Sequence, residues 1–506
     1  MIIPPIIIFM GFIFLLQITL KLYGQKFSLD YPNARKRHVK VVSQIGGLFF
    51  GPFFLFTGWW LGLAPSWYIL GGSISILLGT IDDNYDVPWQ IKFIIQLALA
   101  VFLSILFWGR FDSITFYNFS FSISEIGLLF IFLFWFIGIY NAVNLIDGLD
   151  GLASGFMLIL CLGMGLFGSD TFATLNLILA IILLGFLVFN QRPARLFMGD
   201  AGSLFLGFHT AVLPLLFIED TSNITSINKT PFVLLAFFLI ADTTRVFFTR
   251  IAAKKSPMTA DTIHFHHLIL QESGSYLSSI GTIIFVTSIS VIGAVISIYF
   301  ELSANVMLAH LALLLFFVLT PPVQTYVPLI TKAVGPLYNW QKHEQLKEPF
   351  LPRSIFILVL LLGLILSFSF SGNLSTLITW QHGLAVILLF IFFLFNRKDK
   401  MVKYVIQLSL ILLFSELYWG TELGIISKLL TILLFISFIV FTLEKRFGTN
   451  IAELSTLDLL MIVITLGGVT LGLFGIPISI WFFLTMFSLW FGTSFLLNRT
   501  GYFNFK

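Results

Sequence analysis

FLFWFIGIYNAVNLIDGLDGLASGFMLILCL, residues 132–162, sets two apolar walls around a polar centre, Asn141 to Gly155, that carries two asparagines, two aspartates and three glycines. Ionisable groups at membrane depth cost roughly 2.5–3.5 kcal/mol each on insertion scales, so they persist where they are paired or at work. Asp147 and Asp150 are three residues apart and share one face if the segment winds as a helix. The glycines admit close approach of another backbone or a ligand. Taken alone, the stretch reads equally well as a polar loop between two spans, and the acidic stretches elsewhere decide between the two.

The walls recur. The chain has 506 residues, 58% hydrophobic and only 10% charged, whereas soluble globular chains carry about a quarter charged residues. Apolar runs of about 20 residues, the length that crosses hydrocarbon as a helix, follow one another from end to end. The fold class is therefore all-α: a polytopic integral membrane protein with about eleven spans in residues 1–320, a connector over 321–352 and about six further spans in 353–506. The first run, Ile2 to Leu20, lacks a basic leader and reads as a retained helix. Alternating the spans with the amino terminus outside leaves only Arg110, Lys229 and Lys428 of the 28 Lys and Arg on the outer side, as the positive-inside rule requires. The net charge of +4 comes from dispersed basic residues and is no nucleic-acid signal, and a single Cys161 excludes disulfides and cysteine metal sites.

That topology puts every polar cluster on the cytoplasmic face: DYPNARKRH (30–38), DDNYD (82–86), the central stretch, NQRPARLFMGDAGS (190–203) and SPMTADTIHFHHL (256–268). DDNYD is expected to open the helix that runs into IKFIIQLALA. Asp82, Asp83 and Asp86 repel one another unless a cation sits among them, and Mg²⁺ takes one or two carboxylates plus waters and substrate phosphates. In MGDAGS, Gly199 and Gly202 permit a tight turn, free amides at the following helix start suit an anion, and Asp200 can hold a cation against it. No GK[ST] or GxGxxG is present. Asn190 and Arg192 could reach a base or phosphate; the other reading of Arg192, with Arg195, is a pair of positives flanking a span on the inner side. His264, His266 and His267 suit either zinc, with Asp261, or phosphate. Arg35, Lys36, Arg37 and His38 form a lipid-headgroup patch or steer an anionic substrate.

Jointly, DDNYD, NAVNLIDGLDGLASG, FNQRPARLFMGDAGS and HFHH resemble, in order and spacing, the polyprenyl-phosphate N-acetylhexosamine-1-phosphate transferases, glycosyltransferase family 4, which also include the phospho-MurNAc-pentapeptide translocase. HFHH and Asp86 are similar to the branch that starts O-antigen, common antigen or teichoic-acid linkage units. The resemblance implies transfer of a HexNAc 1-phosphate from a UDP-sugar to undecaprenyl phosphate with loss of UMP, on the cytoplasmic face of a bacterial inner membrane. It implies Mg²⁺, or Mn²⁺, on Asp200 with Asp82 and Asp83, one of these two being a candidate base. Asp86, Asn141, Asn144, Asp147, Asp150 and Asn190 would bind substrate or shape the pocket, and His264, His266 and His267 would contact phosphates. Ser43 stands where the family commonly has proline, which loosens a loop, and Thr262 stands where a basic residue is usual. The alternative is a secondary transporter with acidic ion sites, although no acidic motif recurs as an internal repeat. The last six spans fit a homodimer interface, a lipid-handling module or a docking site.

Overall fold

The computed structural model describes residues 4–23, 29–30, 41–110, 113–116, 119–166, 170–220, 226–228, 230–256, 263–273 and 276–299, with parts of 384–392, 401–419, 455–473 and parts of 483–490. The chain divides into two compact units, Met1–Ile18 with Lys332–Lys506, and Thr19–Thr331. The connector 321–352, the cluster Arg35 to His38, Asp261, Thr262 and Lys229 lie outside the described residues.

Thr19–Thr331 is a helical bundle, as expected for a backbone that must satisfy its own hydrogen bonds in lipid. Its helices are α2 (Gly46–Trp60), α3 (Ser66–Tyr85), α4 (Trp89–Leu106), α5 (Glu125–Ile146), α6 (Leu152–Met164), α7 (Asp170–Asn190) and α8 (Gly199–Asp220). They are followed by α9 (Thr230–Leu235), α10 (Phe237–Ala252), α11 (Phe265–Ser273) and α12 (Tyr276–Tyr299). Helix α1 (Pro5–Tyr23) precedes them, and in the other unit Met401–Trp419 and Thr456–Leu473 match two of the expected late spans. Six described helices, namely α1, α4, α5, α7, α8 and α12, are long and apolar enough to cross a membrane. The others are shorter or carry polar ends, and the span expected over 231–248 is divided between α9 and α10.

Helix α8 is the axis of the bundle. Its apolar stretch is 94% buried, against 22% for α4 and 28% for α5, so α4 and α5 form the rim and present Ile94, Phe130 and Phe134 outward. Helix α3 runs antiparallel to α8: Trp67, near its start, donates to Glu219 at 3.3 Å, while Asp83, near its end, meets the first turn of α8. Glycines make this contact, and that of α2 with α8, close. A methyl group on Gly79 would overlap the Asp200 carbonyl, and one on Gly47 would overlap the backbone of Gly202. Midway, Tyr68 and His209 share a 2.7 Å hydrogen bond and His209 contacts Asn176 at 3.1 Å, so three buried polar side chains satisfy one another.

Two small sheets went unforeseen. Strands β1 (Leu29–Asp30) and β2 (Val42–Ser43) pair antiparallel, with Leu29 opposite Ser43. Ser43 is not in a loosened loop: it is buried, and its carbonyl accepts the Phe197 amide at 2.9 Å, while Gly46 and Gly47 donate to Phe197 and Met198. Residues 43–47 thus strap the segment that leads into α8. The second sheet, in the order β4 (Phe119–Ser122), β3 (Ser113–Phe116), β5 (Ser226–Asn228), joins the link between α4 and α5 to the link between α8 and α9.

Candidate active site

At the opposite end, the close of α3 meets the opening of α8. DDNYD does not open a helix; it closes α3, whose C-cap is Asp86 in a left-handed conformation (φ 47°). Pro88 then starts α4. Acids at a helix C-terminus face the negative end of its dipole, so Asp82 and Asp83 need outside partners.

Asp83 takes its partners from α8. Its two oxygens accept the amides of Asp200 (2.8 Å) and Ala201 (3.2 Å). The anion at the α8 amides is thus supplied by the protein itself. Burial pushes the Asp83 carboxyl up to about 6; the two amides oppose the rise, and the neighbouring Asp82 and Asp30 charges add to it. Asp82 is buried and accepts the Val87 amide at 2.8 Å and the Lys92 ammonium at 2.6 Å. The Asp200 carboxyl stands close beside it. Burial alone would raise it, but the neighbouring Asp200 carboxyl, the hydrogen bond and charge of Lys92 and the Val87 amide hold it below the ordinary carboxylate range. Asp82, Asp83 and Asp200 are therefore brought together, whereas Asp86 stands exposed beyond them.

The central stretch is a turn. Helix α5 ends at Ile146 and α6 begins at Leu152 after Gly151 at φ 78°, so Asp147 and Asp150 share no helical face. Asp147, half-buried at the C-cap of α5, has no side-chain hydrogen bond among the described residues. Burial, then the charges of Asp83 and Asp150, push it up to about 7. Asp150 accepts the Ala194 amide at 3.1 Å.

The asparagines are held within the protein. Asn190 is buried; its oxygen accepts from Gly151 and Ser154, and its amide donates to the Leu196 carbonyl. It clasps the head of α6 to the segment leading into α8. Asn141 exchanges hydrogen bonds with Gln96 at 2.8 and 3.2 Å, tying α5 to α4. Asn144 accepts from Ser203, one turn beyond Asp200.

The histidines complete this end. His266 lies against Gly148, occupying the space a side chain there would fill, so the histidine motif and the Asp147 turn are in contact. His264 stacks on His266 with centroids 6.0 Å apart, and His266 and His267 are 4.1 Å apart. His264 Nδ1 lies 2.9 Å from Asp242.

Sequence reasoning missed Lys92 and Asp242. Lys92 is the lone basic residue in the first turn of an apolar helix. Asp242 is an acid within an apolar segment with Arg245 three residues on, a spacing at which an ion pair forms, and the pair measures 2.8 Å.

A helical membrane bundle whose acids, one lysine and three histidines gather at one end defines a membrane enzyme acting on anionic substrates. The model of the family described as "Glycosyl transferase family 4" matches residues 66–219. A probable undecaprenyl-phosphate N-acetylglucosaminyl 1-phosphate transferase of Bacillus subtilis is 34% identical over 278 residues, 53% of this chain and 77% of that protein. An undecaprenyl-phosphate alpha-N-acetylglucosaminyl 1-phosphate transferase of Thermotoga maritima is 29% identical over 300 residues, 57% and 88% of the two chains. A phospho-N-acetylmuramoyl-pentapeptide-transferase of Staphylococcus carnosus is 36% identical over 167 residues, 29% and 52%. The chain belongs to glycosyl transferase family 4.

Proposed function

We propose that the protein transfers an N-acetylhexosamine 1-phosphate from a UDP-sugar to undecaprenyl phosphate, at the cytoplasmic face of a bacterial inner membrane. The product would start a lipid-linked envelope glycan of the O-antigen, common-antigen or teichoic-acid type. The observation that carries the reading is the meeting of Asp83 with the Asp200 amide, 117 residues apart in sequence, which brings the Asp200 turn beside Asp82 and Lys92, with the Asp147 turn against the histidines. The acids stand at one end of the bundle, whereas transporter ion sites lie near the bilayer midplane.

In the reaction, an oxygen of the lipid phosphate bonds to the β-phosphorus. The bond from that phosphorus to the bridging oxygen breaks, and UMP leaves with the oxygen. A phosphate monoester is largely ionised near neutral pH, its second pKa being about 6, so no strong base is required. The site must align the two phosphates and offset their charge.

The donor set fits Mg²⁺, or Mn²⁺. Among the described residues no three His, Cys, Asp or Glu side chains converge on one metal position. Asp82 and Asp200 would supply hard carboxylate oxygens side by side, and Mg²⁺ uses one or two such groups. Bound there, the ion supplies neutralisation of diphosphate charge. Asp200 and Asp82 would hold it, while Asp83, committed to two amides, holds the first turn of α8 in place. Asp147, with open acceptor capacity, meets the nucleotide beside Asp150, and the histidines meet phosphate.

The test is a panel of UDP-HexNAc donors given to purified protein with undecaprenyl phosphate and Mg²⁺. UMP release with at least one donor supports the reading; silence across the panel contradicts it.

A further inference from the structure

We infer that Asp242, which belongs to none of the aspartate or histidine motifs, is the positioning residue that fixes the His264 ring with its Nδ1 proton inward, so that Nε2, once it takes up the ring's second proton, donates to a substrate phosphate oxygen. The inference rests on the proposed function, in which the histidine motif meets phosphate, and adds what orients that motif.

Asp242 lies in α10 and is nearly buried, as are Arg245 and His264. Its Oδ1 accepts from Arg245 Nη2 at 2.8 Å and from the Phe265 amide, the first of α11, at 3.0 Å. Its Oδ2 faces His264 Nδ1 at 2.9 Å. Arg245 Nη2 also donates to the Ile263 carbonyl at 2.5 Å, so the cation that balances Asp242 is tied to the segment entering the motif. A carboxylate held between a guanidinium and an amide is an acceptor at both oxygens. The hydrogen between Asp242 and His264 therefore belongs to Nδ1.

That leaves Nε2 as the ring nitrogen with an unengaged lone pair. It is buried and has no hydrogen-bond partner among the described residues. An unpartnered buried polar atom costs free energy, and here the ion pair on the far side of the ring keeps it in place. The ring stacks on His266, and His266 packs against Gly148 beside Asp147. The orientation set at Asp242 thus governs a ring adjoining the acidic turn. A carboxylate behind an imidazole fixes the tautomer and supports the charged form that donates to an anion.

Asp242→Asn tests this without changing shape. The two donors on Oδ1 retain the amide oxygen, so the amide nitrogen turns toward His264 Nδ1, which must then accept, and the hydrogen moves to Nε2. The measurement is nitrogen NMR of ¹⁵N-histidine-labelled full chain in nanodiscs, with His264→Gln for assignment, at a pH well above the ordinary histidine value of about 6.5. The native His264 should show the Nδ1–H tautomer and Asp242→Asn the Nε2–H tautomer. Transfer activity, as kcat/KM, should fall about 10–100-fold in Asp242→Asn, with no further loss when Asp242→Asn is added to His264→Gln. An Nε2–H tautomer in the native protein overturns the inference, and that spectrum needs no variant to fold. Equal losses on both backgrounds overturn it too, leaving Asp242 as an anchor of α11. Should no donor be turned over, the nitrogen shifts still decide the tautomer, which separates this inference from the functional reading.

Discussion

Replacing Gly199 with alanine acts on the joint between α3 and α8 and leaves every charged group in place. Gly199 has φ 65°, a conformation that costs an L-residue roughly 1–2 kcal/mol. An added Cβ would stand 2.5 Å from Asp83 Oδ2 and 2.8 Å from the Gln44 carbonyl, where ordinary contact begins at 3.4 Å. Asp83 must therefore retreat by about 0.9 Å, the difference between 3.4 and 2.5 Å. Its bonds to the Asp200 and Ala201 amides, now 2.8 and 3.2 Å, then pass beyond hydrogen-bonding range. Losing a helix cap of this kind costs about 0.5–2 kcal/mol, so destabilisation should total about 1.5–4 kcal/mol. A misplacement near 1 Å lowers turnover on the order of 10²-fold. The assay is UMP release under saturating substrates, beside thermal unfolding in the same detergent. Gly138→Ala is the control, since a methyl group there meets nothing within 4 Å. If Gly199→Ala keeps turnover within about threefold of the parent while folded, the joint does not position Asp200 and the reasoning fails.

Asp200→Asn should lower turnover about 10²–10³-fold while leaving detergent stability near that of the parent; near-normal rate and Mg²⁺ dependence would move the metal to Asp82 alone. The Asp147 carboxyl is raised to about 7, so the stability it contributes is complete below its unfolded value of about 3.9 and is lost as pH rises through 7. Asp147→Asn should therefore raise the unfolding temperature at pH 8 and not at pH 4, and an equal shift at both would refute this. The three-unit rise corresponds to about 4 kcal/mol, reduced to about 1–2 kcal/mol by screening at a half-exposed position. All described site residues lie in Thr19–Thr331, so a chain ending near Pro349 should keep UDP-sugar binding and transfer. Loss of lipid turnover with nucleotide affinity intact would assign the later spans to the lipid.

The helices were legible because apolar runs of membrane length have one solution in lipid. The meeting of DDNYD with MGDAGS was legible only as chemistry, because nothing in either stretch states that Gly79 lets α3 approach the Asp200 carbonyl. The direction of DDNYD was misread. Its acids suit a helix start by dipole, but Val87-Pro88 follow, and Asp86 closes α3 left-handed. Asn190 and Asn141 look like ligand amides by residue type. Their use as a clasp at α6 and a tie to Gln96 depends on neighbours far away in sequence. Asp242 was legible in principle, as an acid in an apolar segment with Arg245 three residues on, but its pairing with His264, 22 residues later, depends on how α10 and α11 pack.

The most direct test of phosphoryl transfer follows the β-phosphate. UDP-GlcNAc labelled at that phosphorus is incubated with the purified chain, undecaprenyl phosphate and Mg²⁺, and the lipid and aqueous phases are separated. The account predicts label in a lipid-linked diphosphate, with one unlabelled UMP released for each product. Label remaining in the aqueous phase as UDP would mean that the sugar alone is transferred, and would contradict it.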